Sequence, residues 1–299
     1  MTDRFVIETA DLRKRYEGVE AVRGLNLQVP AGSISGFLGR NGAGKTTTLK
    51  VLLGMARPTS GDARVFGLPA DALDASLEIR RRTGFVSEDK DLYDYMRVDE
   101  IIRFTVSFSP RWRVDIAQRL LHAFELPLDR TVKSLSRGMR TKLALLLALC
   151  RGAELLILDE PTSGLDPAMN EEVLQVLVTH AASEGTTVFF SSHQIADVDQ
   201  IADHITIIHQ GRAVRAGALD DFREKFRRIQ LVFAGEAPEP VFRAPGVERV
   251  WREGRVLTVL SSAGAERILD EARAMSPASV DVVPVTLKEI FLETVTGDD

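Results

Sequence analysis

Apolar and polar residues alternate through FVIETADLRKRY and again through AVRGLNLQV near the amino end, the two-residue period of half-buried strands. SISGFLG then reads as a short buried strand running into glycine. GKTTTLKVLLGM has helical spacing and is predicted to stop at Gly54, with Pro58 beyond. RTGFVSE predicts a short strand, and the chain from Asp89 to about Leu149 reads as mostly helical, with Phe104, Phe108, Trp112 and Phe124 scattered through it. ELLILDE, TTVFFSSH and HITIIHQG are nearly continuous apolar runs, and PAMNEEVLQVLVTHAASEG between the first two has a helical pattern. Strands alternating with helices predict a mostly parallel sheet covered on both faces.

The pattern changes at LDDFREKFRR, a charged helix. RIQLVFAG, GVERVWREGRVLTVLSS, the helical GAERILDEARAM and VDVVPV follow, with Glu253-Gly254 marking a hairpin turn. The chain is therefore divided into a large domain, 1–226, with a helical region at about 89–149, and a small α+β module, 227–299.

Composition narrows the function by exclusion. The 299 residues suit one large domain, or one domain plus a small appendage, and 44% hydrophobic with 27% charged residues is ordinary for a globular chain. A net charge of −5 supplies no basic field for nucleic acid. The charged, alternating amino terminus excludes a secretory signal, and LALLLALC, the longest apolar run, is too short to span a bilayer. Any membrane role must come through another chain. Cys150 ends that run, has no second cysteine to pair with, and reads as a buried structural thiol in a reducing compartment.

Three short motifs carry chemistry. Gly39, Gly44, Lys45 and Thr46 satisfy G-x-x-x-x-G-K-[ST] between a strand and a helix. Glycines allow successive N–H groups to approach phosphate oxygens, the helix start adds its positive end, Lys45 supplies a compact cation, and the Thr46 hydroxyl can ligate Mg²⁺. LLILDEP ends a buried strand in Asp159, placed to bind the metal or its water, and Glu160, placed to polarise an attacking water. In SLSRGMRTKLALLL, Ser136 and Gly138 open a long helix. The serine is a helix cap in the plain reading; the hydroxyl, glycine N–H and helix dipole together also make an anion site.

In this order the motifs resemble the ATP-binding cassette (ABC) family over about residues 4–217. The resemblance implies a fold of the α/β class: a P-loop NTPase core, an N-terminal antiparallel β subdomain, a helical signature subdomain, and here the C-terminal α+β module. It implies that Asn41, Gly42, Ala43 and Thr47 join Gly39, Gly44, Lys45 and Thr46 around ATP, and that Tyr16 stacks on adenine. It implies that Ser163–Asp166, SGLD, crosses a dimer interface and that His193 contacts the γ-phosphate. Lys45, Glu160 and His193 would act on one nucleotide, with Ser136 and Gly138 reaching it from a second chain. Two departures stand out: Ser136-Arg137-Gly138-Met139 where the family has SGGQ, and Glu88 where it has glutamine. Glu88 is expected to join Thr46 and Asp159 around Mg²⁺.

The single cassette, the SRGM signature and the ending TLKEIFLETVTG look like bacterial ABC-2-type export ATPases. That implies a subunit paired with a separate transmembrane permease, working as a homodimer or heterodimer on the inner face of the cell membrane, with no nucleic acid partner. Tyr93 and Tyr95 are candidates for the permease surface, while Phe104 is expected to pack inside the helical region. A soluble cassette acting on nucleic acid or ribosomes, and an ATP-gated regulator of a membrane protein, are the alternatives.

Overall fold

The computed structural model describes residues 5–296; residues 1–4, the start of the charged amino-terminal stretch, and 297–299, the end of the carboxy-terminal motif, lie outside the described residues. The chain divides between Ala216 and Gly217 into two compact units.

The first unit opens with the long strands β1 (Phe5–Tyr16) and β2 (Val19–Pro30), paired antiparallel. Next come β3 (Ile34–Leu38) and α1 (Lys45–Leu52). Two strands absent from the sequence reading follow, β4 (Ser60–Val65) and β5 (Leu68–Pro69), then a further unforeseen helix, α2 (Leu73–Arg82). After β6 (Thr83–Val86) the chain runs through α3 (Val98–Ser107), α4 (Val114–Ala123) and α5 (Arg137–Leu149), the helical region. It returns in β7 (Leu155–Asp159), α6 (Pro167–Glu184), β8 (Thr187–Ser192), α7 (Ile195–Ile201), β9 (His204–His209) and β10 (Arg212–Ala218).

Two sheets result. An antiparallel one has the order β2-β1-β4-β5, and a six-stranded one the order β10-β9-β3-β8-β7-β6. Strand β3 pairs parallel with β8 and β9, and β7 parallel with β6 and β8. Every residue of β3, β7 and β8 is buried, as expected of parallel strands covered on both faces. Phe37 of β3 and Phe189 of β8 pack with ring centroids 5.4 Å apart inside this core. The parallel register brings the carboxyl ends of β3, β7, β8 and β6 to one edge, which is where an open α/β sheet presents its ligand site. No helix among the described residues is long and apolar enough to cross a membrane.

The second unit begins one helix earlier than the boundary read from composition. Its α8 (Leu219–Lys225) buries Leu219 and Phe222, and Phe222 stacks on Phe226 at 5.9 Å. Strands β11 (Arg227–Val232), β12 (Val247–Glu253), β13 (Val256–Ser261) and β14 (Ser279–Pro284) form an antiparallel sheet of order β12-β13-β11-β14. The β12–β13 turn falls at Gly254, whose φ of +57° suits glycine. Helix α9 (Ala265–Ala274) places Ile268 and Ala272 in a core with Ile229, Leu231, Leu257 and Val259. Helix α10 (Leu287–Thr296) is tied to the sheet by Arg228–Glu289 and Arg249–Glu293 ion pairs.

Candidate functional site

The glycine loop leaves β3 and enters α1 through Gly44. Gly44 has φ +105°, and a Cβ there would lie 2.5 Å from the Ala21 carbonyl oxygen, so no larger residue fits. The loop is pinned from below: the Gly211 N–H donates to the Ala43 carbonyl at 3.0 Å, and the Arg23 N–H donates to the Gly211 carbonyl at 2.8 Å. A Cβ on Gly39 would meet Ile208 at 2.7 Å, which ties the start of the loop to β9. Asn41, Gly42, Gly44, Lys45, Thr46 and Thr47 line one cavity of about 470 Å³, which Glu88 and Glu160 complete. The first-turn N–H groups of α1 have no intrahelical acceptor, so this rim is suited to an anion.

Three predicted residues meet around Glu160. Its Oε1 lies 3.1 Å from the Lys45 ammonium, and its Oε2 lies 2.8 Å from His193 Nδ1. Lys45 and Glu160 are 6% and 3% exposed. The lysine aims its hydrogen bonds at the Gly39 carbonyl (2.7 Å) and the Arg40 carbonyl (3.4 Å), and Glu160 Oε1, though buried, accepts none. That orphaned oxygen is an acceptor ready for a water or a re-aimed donor. The Asp159 carboxylate accepts from the Ser191 hydroxyl at 2.6 Å, and the Glu160 N–H donates to the same Ser191 oxygen at 3.0 Å.

Thr46, Glu88 and Asp159, the expected Mg²⁺ ligands, all line a neighbouring cavity of about 490 Å³. One hydroxyl and two carboxylates give the hard oxygen donors that Mg²⁺ prefers, with room for phosphate and water. Among the described residues no cluster of three histidine, cysteine or acidic side chains is gathered that could hold a metal.

Ser136 caps α5, its oxygen accepting the Met139 N–H at 3.2 Å. Gly138 lies against α6: a Cβ there would be 2.3 Å from Met169 Sδ. Neither residue lines the cavity of Lys45 and Glu160. Arg137 reaches the SGLD loop of its own chain, with its guanidinium 3.5 Å from the Ser163 hydroxyl, and Asp166 of that loop caps α6 through the Met169 N–H at 2.9 Å. Tyr16 is exposed with the Lys14 ammonium 4.6 Å above its ring, outside the same cavity.

Tyr95, Tyr93, Phe104 and Phe108 form a chain of ring contacts with centroids 5.9, 5.6 and 5.0 Å apart. All four are exposed. Phe104 therefore does not pack inside the helical region as expected: α3 turns it outward, and its ring is covered by other surface rings instead.

Three residues escaped the sequence reading. Ser191 links Asp159 to Glu160, and its buried place at the end of an apolar strand was a usable signal. Buried Asp197 accepts from the Thr162 hydroxyl at 2.5 Å and from the Asn170 amide at 2.9 Å, joining the turn after Glu160, α6 and α7. Lys90, 7% exposed, donates to the Glu160 carbonyl at 2.8 Å. Burial pushes its ammonium below the ordinary lysine value of 10.5, the Arg137 charge acts the same way, and Glu88, Asp159 and Glu160 oppose both.

A model of the ABC transporter family matches residues 22–163. The bacitracin transport ATP-binding protein BcrA of Bacillus licheniformis is 33% identical over 296 residues, covering 96% of this chain and 95% of its own. The daunorubicin resistance ATP-binding protein DrrA3 of Streptomyces coeruleorubidus is 34% identical, with 96% and 94% covered. Both alignments extend well into the second unit. A solved ATP-binding subunit of an ABC transporter superposes with a TM-score of 0.66 at 28% identity, over 73% of this chain and 92% of that one.

Proposed function

The chain belongs to the ABC transporter family as an ATP-hydrolysing, ATP-binding subunit, and on that premise we propose that it powers an exporter whose membrane path is a separate permease. The relatives named for bacitracin transport and daunorubicin resistance support export of a bulky antibiotic-like molecule. The observation that carries the catalytic reading is Glu160 held between the Lys45 ammonium and the His193 imidazole.

In this reading Glu160 orients and deprotonates the attacking water. Lys45 re-aims from the Gly39 carbonyl to phosphate oxygens, and His193 reports the γ-phosphate to the strand edge. Phosphoryl transfer to water needs positioning and charge stabilisation more than covalent help. Thr46, Glu88 and Asp159 would hold Mg²⁺, which when bound neutralises phosphate charge. Asn41, Gly42, Gly44 and Thr47 cradle the phosphates, and Tyr16 supplies a face for adenine.

Ser136 and Gly138 stand outside the cavity of their own Lys45, which supports their use on a nucleotide of a second chain. ATP would then close a head-to-tail dimer, and hydrolysis would reopen it. The exposed ring chain from Tyr95 to Phe108 is the surface suited to a permease helix. Affinity capture of the chain from its native membranes in detergent, followed by transport assay in vesicles, tests the reading. Capture of a permease with ATP-dependent export is the expected result; capture of ribosomes or DNA instead would overturn it.

A further inference from the structure

Glu160 has a backbone that does not hold itself. Its φ is +48°, a left-handed conformation that side-chain-bearing residues rarely adopt. Pro161 follows, and a residue before proline is driven toward extended conformations. Something must therefore fasten both ends of this residue. On the amino side the Ser191 hydroxyl accepts the Glu160 N–H at 3.0 Å. On the carboxyl side two donors reach the Glu160 carbonyl: the Ser163 N–H at 3.2 Å, part of the local turn, and the Lys90 ammonium at 2.8 Å.

Lys90 comes from 70 residues away, in the segment between β6 and α3 that leads out to the helical region. It too is left-handed, with φ +49°, and it is buried. A buried cation next to a carbonyl is a charge-assisted tether, stronger than a neutral one. It stands two residues after Glu88, on the same segment that brings Glu88 to the cavity edge.

We propose that Lys90 is a positioning residue for hydrolysis, fastening the Glu160 peptide in its left-handed form so that the carboxylate stays between Lys45 and His193. This rests on the reading of Glu160 as the water-activating group. Lys90 lines the cavity of Thr46, Glu88 and Asp159 but not that of Lys45, and its hydrogen bond is to the Glu160 carbonyl, so in this role it acts through the backbone. Its removal should let the Glu160 peptide relax toward the extended form and carry the carboxylate away, while the glycine loop keeps its shape.

The test is steady-state ATP hydrolysis by the full-length chain in complex with its membrane partner. Lys90→Met should lower kcat by roughly tenfold or more with KM for ATP within about twofold, the signature of an interaction used after binding. Lys90→Arg, which keeps a cationic donor, should recover most of kcat. Combined with Glu160→Gln, Lys90→Met should add little further loss, because the two act as one unit. A normal kcat in Lys90→Met, a fall in kcat and binding together, or a full additional loss in the double variant would each overturn the proposal. If Lys90→Met does not fold by thermal melting, Lys90→Leu, which also carries no donor, makes the same comparison: a kcat-only loss supports the tether and a normal kcat removes it. Normal hydrolysis by Glu160→Gln would instead defeat the reading of Glu160 itself, a separate outcome.

Discussion

Lys45 and Glu160, the proposed cradle cation and the candidate water-activating carboxylate, are paired with each other at 3.1 Å. Both are buried, so the pair is shielded from solvent and each partner compensates the other's desolvation. On the proposed roles, a phosphate drawing on Lys45 competes with Glu160 for it, and so frees the carboxylate for a water.

Glu160→Gln should follow from that competition in two ways. Loss of the carboxylate removes the general base, so hydrolysis should slow by about 10²- to 10⁴-fold. Loss of the competing charge should tighten ATP binding, and the trapped complex should run as a dimer. Fluorescent-nucleotide titration and light scattering at saturating ATP read both effects. A hydrolysis-dead variant that stays monomeric, with no cassette partner available, would sink the dimer reading.

Glu88 lines the cavity of Lys45 and also that of Thr46 and Asp159. Glu88→Gln keeps an oxygen donor and removes a charge from the metal's surroundings, so it should weaken the attraction for Mg²⁺. The Mg²⁺ concentration for half-maximal hydrolysis should rise severalfold while ATP binding without metal improves. An unchanged Mg²⁺ curve would remove Glu88 from the metal site.

How much of this was legible depended on range. ISGFL, LLILD and TVFFSS announced themselves because strands buried on both faces must be apolar throughout. SGDARV did not, since three of its first four positions are exposed and polar or glycine, and its pairing partner, β1, lies far back in sequence, with Ile7 opposite Val65. Lys45 and Glu160 were singled out because phosphate-binding motifs place particular residues at fixed spacing, and the fold brings the two within 3.1 Å. Lys90 was hidden inside EDKD, which reads as a solvated charge run, because only the fold brings the Glu160 carbonyl to it. Phe104 misled for the converse reason: aromatics usually face a core, and here four of them share a surface.

Cys150 is buried at the end of α5, and burial pushes its thiol up to about 12. The thiolate is the reactive form, so this cysteine should be inert in the native state. A disulfide reagent at neutral pH should label it only after denaturant is added. Rapid labelling of the native chain would mean that α5 opens locally.

His180 offers a pH test of the first unit. It is 8% exposed on α6, and burial holds its imidazole below the ordinary 6.5; the Arg113 and Arg119 charges act in the same direction and Glu184 acts against them. Its folded form thus resists a proton that the unfolded chain accepts near 6.5. The stabilisation is fully present above that pH and is lost as pH falls below it, with a slope of at most about 1.4 kcal/mol per pH unit for one group. His180→Gln removes the titration while keeping a polar side chain of similar reach. Between about pH 7 and about pH 5 the wild-type melting temperature should therefore fall by more than the variant's. Parallel falls in the two proteins would show that His180 takes up its proton in the folded state as readily as in the unfolded one.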